Sequence, residues 1–191
     1  MPLIELTTVI HAPIERCFDL ARSIDLHKLS TDGTEEEVVD GVTSGLIGMG
    51  QYVTWRARHF GVTQTLTSKI TGYEYPIYFR DEMVKGAFKM ICHDHAFESS
   101  GDDTIMKDRF EFESPAGILG VMANKLFLER YMRDLLIKRN AVIKEVAEGG
   151  RCGELFCRED GDSLLVVGGC GVNSLIHYAS LKTGIRAGTF R

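Results

Sequence analysis

Residues 104–148 read TIMKDRFEFESPAGILGVMANKLFLERYMRDLLIKRNAVIKEVAE, and a change of period inside this stretch decides the fold. Up to Glu113 the chain alternates, with Met106, Asp108, Phe110 and Phe112 on one face, as in a strand buried on one side. Ser114-Pro115-Ala116-Gly117 breaks that pattern and Gly120 closes the break. Residues 121–148 contain neither Gly nor Pro, and Met122, Leu128, Met132, Leu135, Val142 and Val146 recur at helical spacing. At ~1.5 Å per residue this run gives a helix on the order of 40 Å long, enough to cross a whole strongly curved sheet. Gly149-Gly150 supplies its stop.

Working back toward the N-terminus, short strands with tight turns follow one another. Gln51–Phe60 and Gln64–Tyr73 read as two strands with Gly61 as the turn between them. Tyr78–Val84 is bounded by Pro76 and Gly86, and Phe88–Glu98 is separated from Thr104–Glu113 by the turn residues SSGDD. Even spacing of this kind predicts an antiparallel meander. GLIGMG at 45–50 lacks the GK[ST] ending and the βαβ setting of a phosphate loop, so it reads as a loop between strands. STDGTEEE at 30–37 is polar and turn-like. Before it, LIELTTVIH at 3–11 suits a strand, a short helix runs from about Pro13 to Arg22, and a second occupies about 23–30.

The order predicts an α+β fold. A curved antiparallel sheet of six to seven strands wraps a long C-terminal helix, with two short helices after the first strand. Curvature opens a gap between sheet and helix that side chains fill or a ligand occupies. Residues 1–150 form this domain. Residues 151–191 differ in composition, holding 7 of the 20 glycines and 3 of the 5 cysteines, and are expected to be a poorly ordered tail.

Composition narrows the partners. Of 191 residues, 44% are hydrophobic and 26% charged, sufficient for a real core. A net charge of -5 argues against nucleic acid, whose binding draws on clustered Lys and Arg. No segment reaches the roughly 18 uncharged apolar residues of a membrane span. MPLIELTTVIHAP has no basic region leading into an apolar one, so no secretory signal is expected. The cysteines Cys17, Cys92, Cys152, Cys157 and Cys170 are odd in number and form no CxxC pair, which fits reduced thiols in the cytoplasm. Cys152 and Cys157 have no second pair with which to hold zinc.

Four stretches carry a family resemblance: WRARHFGVTQTLTSKIT at 55–71, YFRDEMVKGAFK at 78–89, SPAGILG at 114–120 and RYMRDLLIKRNAVIK at 130–144. Together with the element order over residues 1 to about 148, they resemble the SRPBCC (START-like, helix-grip) superfamily, in particular a bacterial branch of ligand-binding, polyketide cyclase/dehydrase-like domains. The resemblance implies a pocket for a small hydrophobic molecule such as a lipid, an isoprenoid or an aromatic, polyketide-like compound. It does not imply a reaction, and the tail has no counterpart in it.

Strand alternation selects the residues that face the cavity. They are Trp55 and His59 on the first long strand, and Phe79, Asp81 and Met83 on the third. His95 and Phe97, in line with His93, come from the fourth, and Met106, Asp108 and Phe110 from the fifth. Met122 and Tyr131 join them from the helix, where Phe127 and Met132 are core. Arg56 and Arg58 fall on the opposite, convex face.

Polar groups inside an apolar cavity cost a few kcal/mol unless partnered. The inward His and Asp side chains therefore either satisfy one another in a buried network, orient a ligand's polar end, or work as an acid–base pair. His95 and Asp108 are the candidates for the last role. His93 and His95, at i and i+2 on one strand, can chelate a metal with His59 or Asp81 as third ligand, but the sequence does not bring three strands to one point. No metal and no other cofactor is predicted. No GxSxG elbow or activated thiol is present.

Three functions remain open. The first is a carrier or sensor of a small hydrophobic molecule, monomeric or homodimeric. The second is a cyclase or dehydratase using a His/Asp pair. The third is a protein-interaction module whose cavity is collapsed.

Overall fold

The computed structural model describes residues 1–31, 36–59, 61–113 and 121–149, with the side chains of 59 and 121–126 left out. The strands are β1 (Leu3–Ile10), β2 (Glu37–Gly41), β3 (Tyr52–His59), β4 (Val62–Glu74), β5 (Tyr78–Lys85), β6 (Met90–Ser100) and β7 (Asp103–Glu113). The helices are α1 (Ile14–Ala21) and α2 (Ile24–Ser30), between β1 and β2, and α3 (Val121–Glu148). The seven strands form one antiparallel, curved sheet in the order β1-β7-β6-β5-β4-β3-β2. The contacts set off Met1–Glu148 as one unit. The Gly- and Cys-rich segment 151–191 lies outside the described residues, as does the SPAGILG turn at 114–120.

The meander follows from its turn chemistry. His59 pairs with Val62 across Gly61, whose φ of 79° is the left-handed conformation a tight hairpin requires. Ser100 pairs with Asp103 across Gly101, which has φ 66°. Register shifts in β4 between Thr67/Ser68 and between Ile70/Gly72 are bulges, which bend a strand and increase its twist. They sit in the strand that must turn the sheet around α3.

Sequence reading misses one strand. β2 is five residues, EVVDG, at the sheet edge behind the polar TEEE run, and a bulge between Val38 and Asp40 interrupts its pairing with β3. Only Val38 packs toward the core, so no alternation is long enough to mark it.

β6 and β7 are neighbours in the sheet and alternate in burial, β6 as far as Phe97 and β7 throughout. Ile91, His93, His95 and Phe97 point inward from β6, and Thr104, Met106, Asp108, Phe110 and Phe112 from β7. α1 closes one end of this concave face. Phe18 is fully buried and meets Tyr73, Tyr75, Phe79 and Phe97 edge-on at 5.2–5.4 Å between ring centres. Ser23 caps α2, its hydroxyl accepting from the Leu26 amide at 3.2 Å. The 45–50 stretch is a loop pinned to that helix: Asp25 accepts from the Gly45 amide at 2.7 Å, and Ile24 N–H donates to the Gly45 carbonyl at 2.8 Å.

α3 has the predicted bounds but a different buried seam. Its buried residues are Leu136, Arg139, Asn140, Ile143 and Ala147, while Val142 and Val146 are half-buried beside them. Two polar residues in the middle of the seam interrupt the apolar period, which is why apolar spacing misplaces the face. Arg56 and Arg58 are exposed, as expected of the convex side. No described helix is long and apolar enough to cross a membrane.

Candidate functional site

A cavity of about 620 Å³ lies between the inward face of β3–β7, α2 and the N-terminal half of α3. That volume falls inside the roughly 300–1,000 Å³ range of small-molecule sites. Its walls are mostly apolar: Val53 and Trp55 from β3, Ile70 from β4, Phe79 and Met83 from β5, and Leu136 from α3. Trp55, 7% exposed, carries the His27 ring of α2 against its own at 4.3 Å. The alternation of β3 puts Val53, Trp55 and Ala57 on this wall while Arg56 turns outward to pair with Glu37.

One wall is polar and is built by register. On β6, His93 stands opposite Asp81 of β5 and Phe110 of β7, and His95 stands opposite Phe79 and Asp108. Cross-strand neighbours are close enough for side chains to meet. Asp108 Oδ1 lies 3.0 Å from His93 Nε2 and 3.0 Å from His95 Nδ1. Asp81 Oδ2 lies 3.0 Å from His95 Nε2 and 3.9 Å from His93 Nδ1. Two carboxylates thus bracket two imidazoles, whose rings lie 3.7 Å apart between centres. Phe79 covers the outer face of His95 at 4.1 Å, and Phe110 meets His93 edge-on at 5.1 Å.

α3 supplies the other half of the network. Asn140 Nδ2 donates to Asp108 Oδ2 at 2.7 Å, and Arg139 Nη1 stands 3.7 Å from Asp108 Oδ1. Arg139 Nη2 donates to the Ala21 carbonyl at 2.7 Å, so this one side chain ties α3 to the end of α1. Among the described residues, Arg139 Nη1 and Asn140 Oδ1 are buried without a hydrogen-bond partner. Arg139 Nη1 is held there by the long ion pair with Asp108 alone, while other atoms of Arg139 line the cavity.

Burial works against every charge here, and the partners decide the outcome. Burial would raise Asp108, but hydrogen bonds from His93 and His95 and their charges hold it well below the usual carboxylate range. Asp81 is also lowered, its burial outweighed by the His95 hydrogen bond and by His93, His95 and Arg139. His93 is pushed down to about 4, first by burial and then by the neighbouring His95, so it is neutral at pH 7. The free thiols Cys17 and Cys92 are raised, chiefly by burial, which leaves them unreactive.

The sequence-selected residues divide into three groups. Trp55, Phe79, Asp81, Met83, His95, Phe110 and Tyr131 line the cavity. Phe97, Met106 and Asp108 point to the same side of the sheet but do not line it. Phe97 and Met106 belong to the core under Phe18, and Asp108 is sealed beneath the two imidazoles and α3. Alternation identifies a face, and α1 covers one end of that face, so facing inward and reaching the cavity are different properties. The side chains of His59 and Met122 lie outside the described residues.

His93 enters the sequence reading only in line with His95 and as a candidate metal ligand, and two further site residues escape it altogether, Arg139 and Asn140. For the last two the available signal is a charged and an amide residue within one turn of a helix that otherwise has to be apolar toward the sheet.

Of the four residues of the polar wall, Asp81 is the most accessible. About a quarter of its side chain is exposed, against 7% for His93 and 1% for His95. His95 has both ring nitrogens on carboxylates, so it reaches a bound molecule only by giving up a partner.

No family model matches the chain and no curated protein matches it by sequence. Its backbone is similar to solved structures. Protein TTHA0849 from Thermus thermophilus is 20% identical with a TM-score of 0.61, the match covering 76% of this chain and 99% of that one. A START superfamily protein from Mycobacterium smegmatis gives 9% identity and a TM-score of 0.59 over 77% of this chain and 97% of that one. Ginseng major latex-like protein 151 from Panax ginseng gives 16% and 0.55 over 76% and 97%. At such identities the likeness is one of backbone alone. From element order, sheet topology and these likenesses together, the chain has the START-like, helix-grip fold.

Proposed function

We propose that the chain holds a small hydrophobic molecule (a lipid, an isoprenoid or an aromatic, polyketide-like compound) as a carrier or sensor, with an oxygen-bearing end turned to the polar wall. The observation that carries this reading is a cavity of about 620 Å³ with a mostly apolar lining, in which Asp81, His93, His95 and Arg139 form one compact polar patch and further polar side chains, among them Arg22, Glu36 and Gln64, stand elsewhere on the lining. The apolar surface favours a hydrophobic body through the area removed from water, at about 25 cal/mol per Å². Asp81, with about a quarter of its side chain exposed at the cavity, is the group of that patch that a polar end of the ligand can reach. The volume speaks against a collapsed cavity serving only as an interaction scaffold.

Native mass spectrometry of the full chain, followed by denaturation and identification of any released compound, tests the proposal. A discrete retained mass of hydrophobic character is expected. A protein that retains nothing and also fails to bind fluorescent fatty-acid and aromatic probes would overturn it.

A catalytic reading draws support from a different observation, the contact of Asp81 with His95 at the cavity wall. In that reading Asp81 is the carboxylate that meets substrate, and His95 and Asp108 set its orientation and charge from behind. It requires turnover that Asp81→Asn abolishes while probe binding survives.

A further inference from the structure

Asp81, His93 and His95 each direct one ligand atom into a region in which these atoms lie within 4.8 Å of one another, and all three residues line the cavity. The geometry points to a divalent transition-metal site, of the class that zinc represents, held by Asp81 Oδ2, His95 Nε2 and His93 Nδ1 on the cavity wall. This site is independent of which organic molecule the cavity holds.

Four features carry the inference. The first is spacing: donors around a tetrahedral ion at about 2.0–2.2 Å stand roughly 3.3 Å apart. Asp81 Oδ2 is 3.0 Å from His95 Nε2 and 3.9 Å from His93 Nδ1, distances that bracket that spacing, and the three ligand atoms all lie within 4.8 Å of one another. The second is donor chemistry, since two imidazoles and one carboxylate suit zinc, iron, nickel or copper better than magnesium or calcium.

The third is the arrangement behind the ligands. Asp108 Oδ1 takes the other nitrogen of each imidazole, His93 Nε2 and His95 Nδ1, both at 3.0 Å. A carboxylate accepting from the rear N–H fixes the tautomer that frees the front nitrogen to bind metal. Asn140 in turn holds the second oxygen of Asp108 at 2.7 Å. A bare His–Asp network has no need for both imidazoles to share one rear acceptor and face one front carboxylate. The fourth is position: all three residues line the cavity and about a quarter of the Asp81 side chain is exposed, so water or an oxygen of a bound molecule can approach from the Asp81 side to complete the shell.

The test is metal binding by the full chain, stripped with a chelator, in a Cys152→Ser, Cys157→Ser, Cys170→Ser background so that those thiols do not compete. Zinc and cobalt(II) are the probes. One equivalent is expected to bind, and the cobalt adduct should show visible ligand-field bands without a thiolate charge-transfer band. Asp81→Asn and His95→Gln should each weaken binding about a hundredfold or more. Asp108→Asn, which acts only through the imidazoles, should weaken it about tenfold, and His11→Gln, an exposed histidine elsewhere, should change nothing. X-ray absorption on the zinc-loaded protein gives an answer that needs no variant, with a shell of two imidazoles and oxygen expected. Absence of bound metal, a sulfur shell, or affinity unchanged in the Asp81→Asn, His95→Gln double variant would overturn the site. Because no organic ligand enters the test, its failure leaves the proposed carrier role untouched.

Discussion

Asp108 is a carboxylate with almost no contact with water, and it persists in charged form because His93, His95 and Asn140 occupy both of its oxygens. His93 is held neutral by the same surroundings, and this has a consequence for pH. Its folded-state value of about 4 lies below the ordinary 6.5. Between these values the unfolded chain takes up a proton that the folded protein refuses, so stability falls as pH drops from 6.5 toward 4. Asp81 and Asp108, both lowered, contribute stability that is present above the usual carboxylate range and is lost only at still lower pH. From the His93 shift alone we expect urea unfolding to lose about 2–3 kcal/mol between about pH 7.5 and about pH 4.5. His93→Gln should be less stable at the upper end but lose that much less across the same interval. An identical pH slope in both proteins would show that His93 does not carry the effect.

At the scale of elements, β2 depends on Gly41. Its φ of 85° is left-handed, and a Cβ there would collide with the Tyr52 carbonyl. Gly50, with φ 77°, has open space where its Cβ would go. Gly41→Ala should therefore destabilise by on the order of 3 kcal/mol and loosen β2 first, whereas Gly50→Ala should cost about 1 kcal/mol from backbone strain alone. Chemical denaturation gives the two costs, and amide exchange of Val38 and Trp55 reports the edge strand. Equal costs would mean that the collision is relieved by a shift of β3. α3 illustrates the same scale differently: its C-terminal half packs on the core through Ile143 and Ala147, while Leu128, Met132 and Leu135 line the cavity. One helix thus serves as core and as wall, with Arg139 and Asn140 at the junction.

Taken as a whole molecule, the fold leaves about 620 Å³ unfilled, and a protein that keeps such a volume forgoes packing that a filled core would gain. Filling it tests its purpose. Leu136→Trp, placed where α3 meets the sheet at the cavity, should reduce affinity for a fluorescent fatty-acid or aromatic probe at least about tenfold while leaving the circular dichroism unchanged. If the probe binds as well to this variant as to the parent, it does not occupy the cavity between sheet and helix. A retained ligand should also raise the melting temperature of the parent with concentration, because it binds only the folded state.

The meander, both short helices and the bounds of α3 are legible in the chain, because period, Gly and Pro are local properties that a backbone obeys wherever it is placed. So is the inward face of each long strand, since an alternation of two is set by the pleat, and Asp81, His95 and Phe110 are readable in this way. β2 leaves no such mark, its five residues carrying too little alternation. Nothing local shows that α1 seals Phe97 and Met106 away from the cavity, or that Arg139 and Asn140 are drawn to Asp108. Those outcomes depend on register between strands far apart in the chain and on the rotation of α3 about its axis. The meeting of two carboxylates and two imidazoles from three neighbouring strands at one wall is likewise a product of folding in three dimensions. Each inward His or Asp is a cost in isolation, and the cost is offset only when the paired strands bring its partner within hydrogen-bond reach.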